Sequence, residues 1–270
     1  MLRALIEARY RADAVSVMET CNETLETILS HRSVRAYRSD QLPPQTLELL
    51  VAAAQSAPTS SNLQTWSVVA VEDSGRKSRL AALAGEQYHI VQCPLFLVWL
   101  ADLARLEDVA RQTGLSAAGL DYLECFIVAV VDTALAAQNA VVALESLGLG
   151  SVYIGAIRNK PEAVAIELGL PPQVFALFGL CVGYPDPAVP TGIKPRLAQS
   201  AVLHKEQYSL AVQRDAIRTY NAALRAFQGE QGLPPLDWSH QAMERVKGPE
   251  SLRGRDRLRE VLAGFGFALR

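Results

Sequence analysis

Five short segments of this 270-residue chain carry side chains able to hold a charged, polar ligand. The first is His31-Arg32-Ser33-Val34-Arg35, which sets two guanidiniums, an imidazole and a hydroxyl side by side. Guanidinium presents its donors in a fixed fork, a geometry that suits an anion and phosphate above all. A solvated basic turn is the plainer alternative. The second is Thr59-Ser60-Ser61-Asn62-Leu63-Gln64, a loop of hydroxyls and amides that either hydrogen-bonds a polar ligand or simply turns the chain. Gln87-Tyr88-His89 is the third. The fourth, Tyr153-Ile154-Gly155-Ala156, closes a strand-like run with small residues, over which a flat ligand can meet bare backbone; an ordinary strand end in a core reads the same way. The fifth, Lys194-Pro195-Arg196, holds two cations on proline-stiffened, extended chain. Metal chemistry has no comparable support. The four histidines are scattered, and Cys21, Cys93, Cys125 and Cys181 form no Cys-x-x-Cys pair.

The elements that must position these segments centre on Cys125–Ala156. Phe126 to Leu147 is apolar almost all round, the mark of a membrane span or a central core helix. Asp132, Asn139 and Ser146 recur every seven residues along one stripe, with Gln138 beside it. Polar groups at mid-helix favour the core reading. Gly148 and Gly150 stop the helix, and Ser151–Ile154 extends as a strand. Upstream, Thr24–Leu29 and Gln45–Ser56 are helical and Trp66–Val71 is a strand. Ser74-Gly75 turns into a helix over Arg76–Ala84. Val91–Leu100, a continuous apolar run, is a buried strand, as is Val174–Gly183. Asn159-Lys160-Pro161 opens a helix that Pro171-Pro172 breaks. The expected fold class is α+β, with helices covering both faces of a sheet.

Composition narrows the function. Half the chain is hydrophobic and a fifth is charged, as in a packed globular protein. A formal net charge of −2 gives no footing for nucleic acid. The isolated cysteines suggest reduced thiols and, with no signal peptide evident, a cytoplasmic location. Residues 1–20 read as an N-terminal extension, with Met18 as a natural start. The remainder divides into a core over 21–225 and a helical excursion over 226–270, which wraps the core or a partner subunit.

In this order, the five segments resemble the FMN-dependent nitroreductase superfamily, and in particular the group of oxygen-insensitive NADPH nitroreductases and NADPH–flavin oxidoreductases. The resemblance runs from about Thr24 to the C-terminus. It is densest at His31–Arg35, at Val131–Arg158, at Leu177-Phe178-Gly179-Leu180 and at Lys194-Pro195-Arg196. It implies a mostly antiparallel central sheet flanked by helices, in an intertwined homodimer. The long central helices, Val141 included, would meet at the interface, with two tightly but non-covalently bound FMN molecules beside them.

Carried over residue by residue, the resemblance makes His31, Arg32, Ser33, Val34 and Arg35 FMN ligands. Lys194, Pro195 and Arg196 join His31 at the phosphate. Arg35 lies at the N1 edge, where a cation favours reduced flavin. Thr59, Gln87, Tyr88 and His89 contact the ribityl chain or ring edge, and Tyr153, Ile154, Gly155 and Ala156 lie beside the ring. No side chain is a catalytic residue, because the flavin carries the chemistry. The implied activity is ping-pong, two-electron reduction of small-molecule acceptors such as nitroaromatics or quinones, with NADPH or NADH as donor. Two alternatives are a flavin reductase supplying reduced FMN and a flavin-binding redox sensor or carrier with little turnover. The sequence departs from the family in two places. The loop Gly229–Asp237 contains no arginine to grip a 2′-phosphate, leaving Arg225, Arg245 and Lys247 as flanking substitutes, and Ala156 stands where glycine is usual.

Overall fold

The computed structural model describes residues 1–11 and 21–270. The suggested start at Met18 lies outside the described residues. In chain order the helices are α1 (Leu2–Tyr10), α2 (Glu23–Leu29), α3 (Thr46–Gln55), α4 (Ser74–Leu83), α5 (Tyr88–Gln92), α6 (Ala104–Thr113), α7 (Leu123–Ser146), α8 (Pro161–Leu168), α9 (Gln213–Glu230), α10 (Trp238–Val246) and α11 (Leu258–Gly264). The strands are β1 (Trp66–Val71), β2 (Leu95–Asp102), β3 (Gly150–Ile154) and β4 (Val174–Gly183). The chain forms two compact units. The first comprises Met1–Arg32 and Pro187–Leu252, the second Ser33–Asp186 and Arg253–Arg270.

The second unit holds the sheet, in the order β1-β2-β4-β3, every pair antiparallel. All eight residues of β2 are buried. Successive side chains of a strand point to opposite faces, and here each face has its own core. Leu95, Leu97 and Trp99 pack with Leu50 and Ala54 of α3 and with Ala136, Ala137, Ala140, Val141 and Leu144 of α7. Phe96, Val98 and Leu100 pack on the other face with Leu80 of α4, Ile157 and Val164. Toward one end of the sheet, Ala101 of β2 and Phe175 and Leu177 of β4 meet Val261, Leu262 and Phe267 of the C-terminal segment.

α7 is long and apolar enough to cross a membrane by length and composition, yet it is a core helix. Its polar stripe has partners in this unit: Asp132 accepts from the loop after α3, and Asn139 Nδ2 donates to Ala53 O at 3.2 Å. The face turned away from the sheet stays open, with Ile127, Val131 and Leu135 each at least 40% exposed. Val141 is fully buried against the sheet and is not on that open face.

Two further expectations are corrected. Ser74 and Gly75 are not a turn but the first residues of α4, because Asp73 caps the helix by accepting from Arg76 N at 2.7 Å. The strand expected over Val91–Leu100 begins only at Leu95. Val91 and Gln92 belong to α5, and Pro94, which cannot donate to a sheet ladder, separates the two elements.

In the first unit, Tyr220, Leu224 and Phe227 line the buried side of α9, with Trp238 of α10 packed against them. α2 opens on Asn22, whose side chain accepts from Leu25 N at 2.9 Å, and Glu23 and Glu26 complement its first turn.

Candidate active site

In the first unit the structure brings the segment at His31 together with Lys194-Pro195-Arg196. Arg32 Nε donates to Thr191 Oγ1 at 3.0 Å. The guanidinium of Arg9 donates to Leu29 O at 3.1 Å, His31 O at 3.0 Å and Lys194 O at 2.8 Å. Pro195 is buried, and its carbonyl accepts from Tyr220 Oη at 3.0 Å. Burial raises the pKa of that phenol, with Arg196 working against the shift. The side chains of Lys194 and Arg196, on either side of the buried proline, are exposed. They line a cavity of about 730 Å³ with Tyr220, Phe227 and Trp238 among its walls. The arrangement is a pair of cations on anchored backbone, as anion binding requires.

The cations around the arginine-free loop are engaged within this unit. Arg225 pairs with Asp237, Lys247 Nζ with Glu244 Oε2 at 2.8 Å, and Arg245 donates to the carbonyl of Ser251.

The second unit gathers the other nominated residues. Val34 N donates to Ser151 O at 2.9 Å, making a parallel bridge from Ser33 to Ser151 and lying the Ser33–Arg35 segment along β3. Val34 is buried and its own N–H and carbonyl are engaged within the unit, so its part is to hold Ser33 and Arg35 in place. Gly150 permits the contact: a Cβ there would stand 2.5 Å from Val34 Cγ2. Tyr37 pins the segment from beneath, donating to Val34 O at 2.7 Å, and burial raises its phenol far above the ordinary range. Arg35 is exposed and close enough to His89 to act on it. Burial first, and the Arg35 cation second, push His89 below the usual histidine range, so the imidazole is neutral at pH 7. Tyr88, beside it at the start of α5, is 69% exposed. Gln87 occupies the N-cap position of that helix.

Thr59 is held by a buried carboxylate. Asp132, 2% exposed, accepts from Thr59 Oγ1 at 2.5 Å, from Ser60 N at 3.1 Å and from Thr65 Oγ1 at 3.3 Å. The backbone it stabilises is unusual: Ser61, Asn62 and Gln64 all have positive φ. Such conformations cost about 1–3 kcal/mol each and persist only where their surroundings fix them. At the end of β3, Ile154 turns its side chain into the core, while Gly155 and Ala156 enter a 3-10 turn over Arg158. A Cβ at Gly155 would lie 3.4 Å from the Arg158 guanidinium, which itself donates to Leu177 O. That is close to ordinary contact, so glycine here leaves the backbone uncovered without being demanded by the packing. Tyr153 stands beside it, edge-on to Phe178 at 5.2 Å.

Arg9, Tyr37 and Tyr220 escaped the sequence reading. Arg9 and Tyr220 act through contacts with residues remote in the chain, and Tyr37 through a bond to the carbonyl three residues before it; no local pattern announces either. Asp132 carried a signal, since a carboxylate on an apolar helix must find partners, but nothing in the sequence identified Thr59 and Thr65 as those partners.

Residues 28–184 match the Nitroreductase family and residues 194–270 match the Nitroreductase family, C-terminal domain. The chain is a member of the nitroreductase family. Among relatives, it is 39% identical to FMN reductase (NADPH) of Bacillus subtilis, over 84% of this chain and 92% of that protein. It is 40% identical to the oxygen-insensitive NADPH nitroreductase of Salmonella typhimurium, over 68% of this chain and 74% of that one. The solved structure of NADPH:FMN oxidoreductase from Vibrio harveyi, complexed with NAD+, superposes with a TM-score of 0.82. It is 33% identical and covers 92% of this chain and 100% of that chain. This nitroreductase thus has the α+β fold that the five segments implied.

Proposed function

We propose that the protein is an FMN-dependent NAD(P)H oxidoreductase that reduces nitroaromatics, quinones or related flat acceptors in two-electron steps. Two observations, one in each unit, support the assignment: exposed cations on anchored backbone in the first, and a glycine turn at the end of β3 in the second. Lys194 and Arg196 sit on chain held through the Lys194 and Pro195 carbonyls, and Gly155-Ala156 presents bare backbone beside Tyr153. These features fit FMN: cations for its phosphate, and a surface without side chains for its ring. When bound, FMN supplies the two-electron chemistry.

The chain's own part is binding, orientation and electrostatics. His31, Arg32, Lys194 and Arg196 neutralise the phosphate. Val34, tied to Ser151 and Tyr37, fixes the backbone that presents Ser33 and Arg35, and Arg35 favours negative charge at the ring edge. Gln87, Tyr88 and neutral His89, with Thr59 on its Asp132 anchor, supply hydrogen bonds that do not compete for the charge. The protein acts as a homodimer, because the open face of α7 carries Ile127, Val131 and Leu135 at i, i+4 and i+8, an apolar stripe suited to a second copy. We place it in the cytoplasm, where its four free cysteines stay reduced.

A second reading, reduction of free flavin for use by another enzyme, is favoured by the similarity to a protein named FMN reductase (NADPH). Anaerobic mixing of the yellow protein with NADPH or NADH tests the assignment, followed by re-oxidation with a nitroaromatic, a quinone or free FMN. Bleaching by a nicotinamide and recovery with the acceptor are expected. A preparation that binds no FMN and oxidises neither nucleotide would overturn it.

A further inference from the structure

Arg9 lies upstream of every residue that matches the family, yet it touches both segments assigned above to the flavin phosphate. It is a charged residue only 8% exposed. One amino group of its guanidinium donates to Lys194 O at 2.8 Å, and the other to Leu29 O at 3.1 Å and His31 O at 3.0 Å. Its own carbonyl accepts from Arg196 N at 2.9 Å. One residue is thus hydrogen-bonded to the backbone of His31, Lys194 and Arg196. Leu29 O belongs to the last turn of α2, where carbonyls lack helical partners and a cation is favoured. The neighbouring Arg11 ties the same stretch to α9 through a two-pronged pair with Glu230, at 2.7 and 2.8 Å. Tyr10, between them, lines the cavity shared by Lys194 and Arg196.

We infer that Arg9 is a positioning residue for phosphate recognition: it clamps the His31 and Lys194–Arg196 backbones in one register, so that their cations converge on a single anion. The proposal rests on the assignment of those segments to the FMN phosphate. A planar fork suits the task, because three carbonyls must be met at fixed angles. Lysine would keep the charge but not the fork. A group that only maintained the fold would affect binding of every flavin alike. A group that sets the spacing of phosphate ligands affects FMN and spares riboflavin, which lacks the phosphate.

The test is a pair of affinities, for FMN and for riboflavin, measured by flavin fluorescence titration on the flavin-stripped full chain and its variants. Arg9→Ala should weaken FMN binding by about tenfold or more, as expected for losing several charge-assisted bonds, and leave riboflavin affinity unchanged. Arg9→Lys should fall between. Equal loss for both flavins would overturn the proposal, as would no loss for either. If the alanine variant does not fold, the lysine variant decides: an FMN-to-riboflavin ratio equal to that of the parent protein refutes the clamp. Arg196→Ala separates the two layers of inference. If it loses FMN selectively and Arg9→Ala does not, the phosphate assignment stands and the role of Arg9 falls. If Arg196→Ala affects both flavins equally, the phosphate assignment itself fails and the clamp fails with it.

Discussion

Replacing Asp132 by asparagine keeps the shape of the side chain and removes its charge. In the native protein the carboxylate accepts three hydrogen bonds, from Thr59 Oγ1, Ser60 N and Thr65 Oγ1. A bond to a charged acceptor is worth about 1.5–3 kcal/mol and one between neutral groups about 0.5–1.5. Neutralisation therefore removes about 1 kcal/mol per bond, or about 3 kcal/mol in all. Thr65 is buried, but Thr59 and Ser60 reach solvent, which lowers the expected loss to about 2 kcal/mol. In a unit of this size that is a fall in Tm of about 4–8 °C. The loop also carries three residues at positive φ, so a weaker anchor lets Thr59 move and FMN retention should drop as well. Thermal unfolding of the flavin-free and flavin-loaded variant, with FMN titration, measures both effects. A Tm unchanged from the parent protein would show that the carboxylate is not the anchor, and unchanged FMN affinity would detach the loop from the cofactor.

Three other outcomes are expected. Val131→Asp, on the open face of α7, should yield folded monomers by light scattering, whereas Val141→Asp should unfold the protein because Val141 is fully buried; a dimer that survives Val131→Asp excludes this face as the interface. Since His89 is held below its ordinary value, its contribution to stability is complete above the unfolded value of about 6.5 and is lost as pH falls. His89→Gln should flatten the fall in Tm below that pH, and an identical profile would contradict the assigned neutrality. Asp237→Asn should release Arg225 from its ion pair and lower KM for NADPH relative to NADH; an unchanged ratio would show that Arg225 does not meet the 2′-phosphate.

The parts of the fold legible in the sequence were those set by local pattern. The apolar length of α7, its stop at Gly148, and the strands at Trp66 and Val174 follow from periodicity and glycine chemistry. Val91–Leu100 shows where pattern fails: an apolar run does not distinguish a buried strand from a helical turn, and Pro94 was the residue that divided them. Four of the five site segments were visible because hydroxyls, amides or cations cluster in them, and the remaining one, Tyr153–Ala156, because small residues close a strand. Their placement was not, since Asp132 meets Thr59, and Arg9 meets Lys194, through tertiary contacts alone. The side-chain direction of Ile154 and Val34 was equally hidden. Both are buried, so they fix the backbone that carries Ser33, Arg35 and Gly155 and present no side chain of their own.

The composition of the sheet unit bears on how the protein is made. Its core takes Val261, Leu262 and Phe267 from the C-terminal segment, and Arg270 N closes a bond to Asp121 O at 2.9 Å. A ribosome adding about 5–20 residues per second has finished β4 several seconds before it supplies these residues. During that interval Phe175 and Leu177 have no aromatic or aliphatic cover from the tail. The nascent chain is therefore most exposed to misassociation while residues 187–252 are being translated, and it cannot complete its sheet core until Val261, Leu262 and Phe267 have been supplied.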